Sequence, residues 1–153
     1  MRRFDWKKAL FYIYLAVVYL ITVIRPWQPG VGFFRGGVNF SLFKEYIPFI
    51  RSGSWYTFIY LFVGNIVWFV PLGIFFGIFD EDRGRKLSKG LLPAVIKGFC
   101  ISLSIEVLQF IFGKGLAEID DLILNTFGVA LGYCLISLLL KIIKQRKQGG
   151  KTA

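Results

Sequence analysis

Four stretches of this chain are long, apolar and nearly free of charge, and a chain with four of them folds with lipid as part of its solvent. Residues 9–24 (ALFYIYLAVVYLITVI) are uncharged between Lys7–Lys8 and Arg25. Residues 52–79 are uncharged throughout, residues 91–112 are interrupted by Glu106 with Lys97 just inside, and residues 122–140 carry no charge. A helix rises about 1.5 Å per residue against a hydrocarbon core of about 30 Å, so even the first stretch reaches across once its lysine stems snorkel. RPWQPG follows it without an A-x-A-like cleavage site, so it reads as a retained helix and not a signal peptide. Backbone groups in a bilayer must be satisfied within their own segment. The expected fold is an all-α membrane protein, a four-helix transmembrane bundle with an apolar outer loop between spans one and two. Residues 1–8 make a basic N-terminus, 9–143 the transmembrane domain and 144–153 a basic tail expected to be disordered.

Charge sets the expected orientation. Of 19 Lys and Arg, 14 fall on one side of the four spans: Arg2, Arg3, Lys7 and Lys8, the Arg83–Lys89 cluster, Lys97 and the tail. The other side holds Arg25, Arg35, Lys44, Arg51 and Lys114. The positive-inside rule therefore predicts both termini in the cytoplasm of a multi-pass membrane protein. The net charge of +10 reads as orientation and attraction to anionic membrane lipids. No basic run interleaves with an exposed aromatic platform, which argues against nucleic acid as a partner. With no His and no CxxC, histidine triads, histidine metal sites and thiolate zinc clusters are excluded, and neither a metal nor a cofactor is expected.

Residues 26–54 are too apolar for an ordinary loop. PWQPG and the Gly36–Gly37 pair break the chain, and VNFSLFKEYIPFI follows. The segment lies in the outer interface, re-enters partway, or packs on the bundle.

Ionisable and amide groups inside spans mark functional sites by default. Gly98, Ser102, Glu106 and Gln109 are spaced by four, four and three and share one helical face. Asp121, Asn125, Gly128 and Gly132 share another, and Asn65 lies near the middle of span two. Antiparallel spans bring Glu106, Gln109, Asp121 and Asn125 to one depth in the outer half, where Arg25 closes span one. The candidate ligand-binding set is Arg25, Asn65, Glu106, Gln109, Asp120, Asp121 and Asn125. Structural roles compete: Asp120 or Asp121 as a helix cap or dipole partner, Asn65 and Gln109 as interhelical glue, Gly73/Gly77 and Gly128/Gly132 as close contacts. Glu106 fits a purely structural role least, since a buried carboxylate needs a cation such as Arg25 or Lys114, or a proton.

N-I-V-W-F-V-P-L-G at 65–73, S-x-x-x-E-x-x-Q at 102–109 and I-D-D-L-I-L-N-T-F-G-V-A-L-G-Y at 119–133 resemble the VanZ-like family over roughly residues 20–135. Its motif positions fall on Asn65, Pro71, Gly73, Glu106, Gln109, Asp120, Asp121, Asn125 and Gly128, with Arg25 and the N-F-S-L-F stretch at 39–43 matching the first loop. One departure stands out: Gly115 occupies the column of a usual Arg, with Lys114 beside it and Glu118 in place of Asp. The resemblance implies small bacterial multi-pass membrane proteins tied to the envelope, named for a member linked to teicoplanin resistance.

The first functional reading is a non-enzymatic protein whose outward-facing polar cavity binds an amphiphile, either a lipoglycopeptide antibiotic or a lipid-linked envelope precursor, and contributes to teicoplanin resistance. The alternative is an intramembrane enzyme modifying an envelope lipid, with Glu106 and Asp121 as paired acid and base. A proton-coupled transporter is a third, and four short spans would then need a homo-oligomer to widen the pathway.

Overall fold

A computed structural model describes residues 5–23, 37–44, 46–112 and 116–149. The elements are α1 (Trp6–Val23), β1 (Gly37–Asn39), α2 (Ile47–Arg51), α3 (Trp55–Asp82), α4 (Leu87–Ile111), β2 (Leu116–Glu118) and α5 (Ile119–Gly149). Helices α1, α3, α4 and α5 are each long and apolar enough to cross a membrane. The protein is an all-α multi-pass membrane protein whose spans pack as a four-helix bundle.

The helices overrun the apolar stretches. Helix α3 continues past Phe79 through Asp80, Glu81 and Asp82. A Schellman turn then ends it: Arg85 N–H donates to Asp80 O at 2.9 Å and Gly84 N–H to Glu81 O at 2.9 Å, with Gly84 at φ 66°. The tail expected to be disordered is helical through Gly149. Residues 141–148 (KIIKQRKQ) contain no breaker, and Arg146 and Lys147 in the last turn complement the negative end of the helix dipole.

A seam of glycines joins α3 to α5. A Cβ on Gly73 would overlap the Val129 carbonyl, one on Gly128 the Ile66 carbonyl, and one on Gly132 the Val70 carbonyl. The two backbones thus touch, which is how helices associate where lipid leaves no hydrophobic drive between them. Helix α4 closes on the same line, Gly98 abutting the fully buried side chain of Val129. Helix α1 is peripheral, with 11% of its span buried against 28% for each of the others. Phe11 holds it against Phe75, Phe76 and Phe79, and the Tyr14 hydroxyl donates to the Trp68 carbonyl. Tyr12, Ile13, Val67, Leu92 and Ile96 stay exposed on outward helix faces, as lipid-facing side chains do.

Both ends of the bundle are distinct. At the basic end Lys7 of α1 pairs with Asp82 of α3 at 2.7 Å, and Lys144 of α5 pairs with Glu81 at 2.7 Å. At the opposite end β1 and β2 pair in parallel, Gly37 with Leu116, Val38 with Ala117 and Asn39 with Glu118. The described part of the apolar loop therefore packs on the bundle. Tyr46 is buried there with its ring against Phe43, Phe58 and Phe62.

Candidate functional site

The strand end collects the polar groups of α3, α4 and α5. Helix α5 starts directly after β2, so Asp120 and Asp121 fall in its first turn, where exposed backbone N–H groups favour negative charge. Asp120 is the more deeply buried of the two, at 2% exposure. Its Oδ2 accepts the backbone N–H of Phe43 at 2.7 Å. Phe43 sits at φ 57°, a left-handed conformation that costs a residue with a Cβ about 1–2 kcal/mol. The Asp120 bond and the ring contacts of Phe43 with Tyr46 and Phe62 hold it there. Asp121 is half-buried, and its Oδ1 accepts from Asn65 Nδ2 of α3.

Glu106 is buried on α4, and its Oε2 accepts the backbone N–H of Glu118 at 3.0 Å. That bond ties α4 to β2. The charges of Asp121 and Glu118 face the same carboxylate. Asn125, one turn further along α5, donates to Ser102 Oγ at 2.9 Å. Asp120 Oδ1 and Asn125 Oδ1 are both buried acceptors with no donor among the described residues. Tyr46 caps the cluster from the loop: burial, then the charges of Asp121, Asp120 and Glu118, push its phenol well above the ordinary range.

Asn65, Glu106, Asp120, Asp121 and Asn125 thus face this end of the bundle together. Gln109 does not join their hydrogen bonds; its Nε2 donates to the Thr22 carbonyl at 3.1 Å and binds α1 to α4. Asn125 likewise spends its donor on Ser102 and not on a carboxylate. Arg25, Lys114 and Gly115 lie outside the described residues. No group of three or more His, Cys, Asp or Glu is arranged to hold a metal ion among the described residues.

An apolar groove of 440 Å³ runs down α4 and α5 beside the cluster, with Ile119, Leu122 and Ile123 at its upper part and Phe99 and Phe127 further down. A second polar cluster at the basic end was not anticipated. Asp80 is buried, accepts from the Tyr133 hydroxyl at 3.0 Å and pairs with Arg85 at 3.3 Å. Its signal was present in the spacing, because Asp80 continues the Gly73/Gly77 face by three residues.

Protein VanZ of Enterococcus faecium is 32% identical over 100 residues, covering 65% of this chain and 56% of that protein. The chain therefore spans little more than half the length of this relative. No solved structure matches the chain. The model of the VanZ/LLP1 family matches residues 11–141, a stretch that holds α3, α4, the strand pair, the acidic cluster and most of α1 and α5, and the chain belongs to that family.

Proposed function

We propose that the strand end binds the polar head of an amphiphile whose apolar tail lies in the groove between α4 and α5. Two buried acceptors with no donor among the described residues, Asp120 Oδ1 and Asn125 Oδ1, support this reading. Leaving such groups without donors costs about 1–3 kcal/mol each, which a ligand offering N–H or O–H groups would recover. The carboxylates of Glu106, Asp120 and Asp121 lie at the same end of the bundle, so a head rich in donors or carrying an amine suits the site best. Ile119 and Leu122 flank Asp120 and Asp121 in sequence and line the groove, so head and tail sites adjoin.

In this reading the strand end faces outward from a bacterial cell membrane, both termini are cytoplasmic, and the natural ligand is a lipid-linked envelope component. Lipoglycopeptides such as teicoplanin share its division into a fatty tail and a polar, amine-bearing head, and the protein raises tolerance to them. The test is expression in a sensitive Gram-positive host. Tolerance to teicoplanin should rise more than tolerance to vancomycin, which lacks the tail, and Asp120→Asn should reduce the gain. An equal effect on both drugs, or none, overturns the resistance role.

A further inference from the structure

A second cavity lies at the other end of the bundle, away from the acidic cluster. It is a cleft of 800 Å³ between the α3–α4 turn and the last turns of α5. Arg85, Lys86, Lys141 and Lys144 line it together with one carboxylate, Glu81. Two of the cations are already engaged, Arg85 with Asp80 at 3.3 Å and Lys144 with Glu81 at 2.7 Å. Lys86 and Lys141 have no carboxylate within ion-pair distance among the described residues, so the cleft holds two uncompensated positive charges facing one space. The Ser88 hydroxyl and the Gln145 and Gln148 amides add neutral donors. Leu91 and Leu138 form its apolar side, and Leu138 is 57% exposed, on a helix that continues into the membrane-spanning part of α5.

We infer that this cleft is a binding site for one anionic phospholipid, the phosphate held by Lys86 and Lys141 and an acyl chain laid against Leu91 and Leu138. Three features favour a lipid over a free anion. The cleft joins the snorkelling zone at the basic end of the bundle, where cationic side chains meet headgroups. Its wall is apolar where a headgroup would give way to hydrocarbon. Its charge is arranged within one concave space and not spread over a flat face. The site does not depend on the ligand proposed for the strand end, since none of its lining residues belongs to that cluster.

The experiment is native mass spectrometry of the detergent-purified full chain with added phosphatidylglycerol or phosphatidylcholine of the same acyl chains. The wild type should retain one phosphatidylglycerol in preference to phosphatidylcholine. Lys86→Ala/Lys141→Ala should weaken that binding roughly tenfold or more, each lysine being worth several-fold near an anionic headgroup. Both lysines are exposed and make no described side-chain bonds, so the variant should keep the wild-type thermal transition. Lys89→Ala/Lys147→Ala, basic positions outside the cleft, is the control and should bind as the wild type does. The inference fails if the cleft variant holds phosphatidylglycerol as tightly as the wild type, or if the control loses as much. It fails equally if phosphatidylcholine binds as well, which would mean tail packing alone. Inorganic phosphate displacing the lipid completely would mark a free-phosphate site and also overturn it.

Discussion

The carboxylate of Glu106, buried within a span, accepts its hydrogen bond from the backbone N–H of Glu118 at 3.0 Å. An acid that the sequence presents as seeking a cation is therefore also a clamp on the chain between α4 and α5. Replacing it with Leu removes the acceptor and strands a backbone donor, which should cost about 1–3 kcal/mol in a thermal melt in detergent. Glu106→Gln keeps an acceptor oxygen and should cost much less. If Glu106→Leu melts with the wild type, the clamp does not contribute to stability.

Asp120 should govern the order of the loop above it. Asp120→Ala takes the partner from the Phe43 amide. Hydrogen exchange at that amide should speed by about tenfold, the equivalent of about 1.4 kcal/mol, while amides in the α3–α5 seam keep their protection.

The glycine seam makes a paired prediction. Gly132→Ala drives a methyl into the Val70 carbonyl and should destabilise the bundle by about 1–3 kcal/mol. Gly64→Ala on α3 meets nothing within 4 Å, and the gain in helix propensity of up to about 1 kcal/mol should leave it neutral or more stable. Equal losses at both positions would show that the α3–α5 contact is not tight.

Tyr46 lends the fold a dependence on alkaline pH. Its phenol titrates above the ordinary value of 10.0 because burial, followed by the charges of Asp121, Asp120 and Glu118, opposes the phenolate. The folded state therefore keeps its proton after the unfolded chain has lost it, and stability falls as pH rises past about 10. Tyr46→Phe should show a shallower decline in melting temperature over that window than the wild type, with the lysines contributing alike to both.

Sidedness is open to direct labelling. With Cys100 and Cys134 replaced by Ala, single cysteines at Phe40, Arg85 and Gln148 should react with an impermeant thiol reagent in intact cells only at position 40. Phe40 is 75% exposed at the strand end, so failure to label there would argue against an outward-facing cluster.

The four spans were legible because a run of uncharged residues is a property of the chain itself, and lipid punishes any departure from it. Glu106 and Asp121 stood out for the same reason, as costly groups in apolar surroundings. The partners of those groups were harder to read. Gln109 turns toward the Thr22 carbonyl and Asn125 toward Ser102, outcomes set by the rotation of each helix about its axis, which spacing within one helix does not report. Asp80 falls one residue past the uncharged stretch of its span, where a charge is ordinary, although Tyr133 and Arg85 make it part of the interior. The strand pair left no pattern to find, since three-residue strands are too short for an alternation, and their partners stand far apart in sequence.

That separation bears on how the protein is made. Phe43 and Asp120 are 77 residues apart, and the chain between them crosses the bilayer twice, through α3 and α4. β1 must wait, unpaired, until both crossings are complete and β2 has emerged on its side. If one of the two helices alone failed to insert, β1 and β2 would end on opposite faces of the membrane and could never meet. Closure of the strand pair is thus a parity check on insertion, and an unclosed pair leaves bare amides and an uncovered Asp120 carboxylate at that end of the bundle.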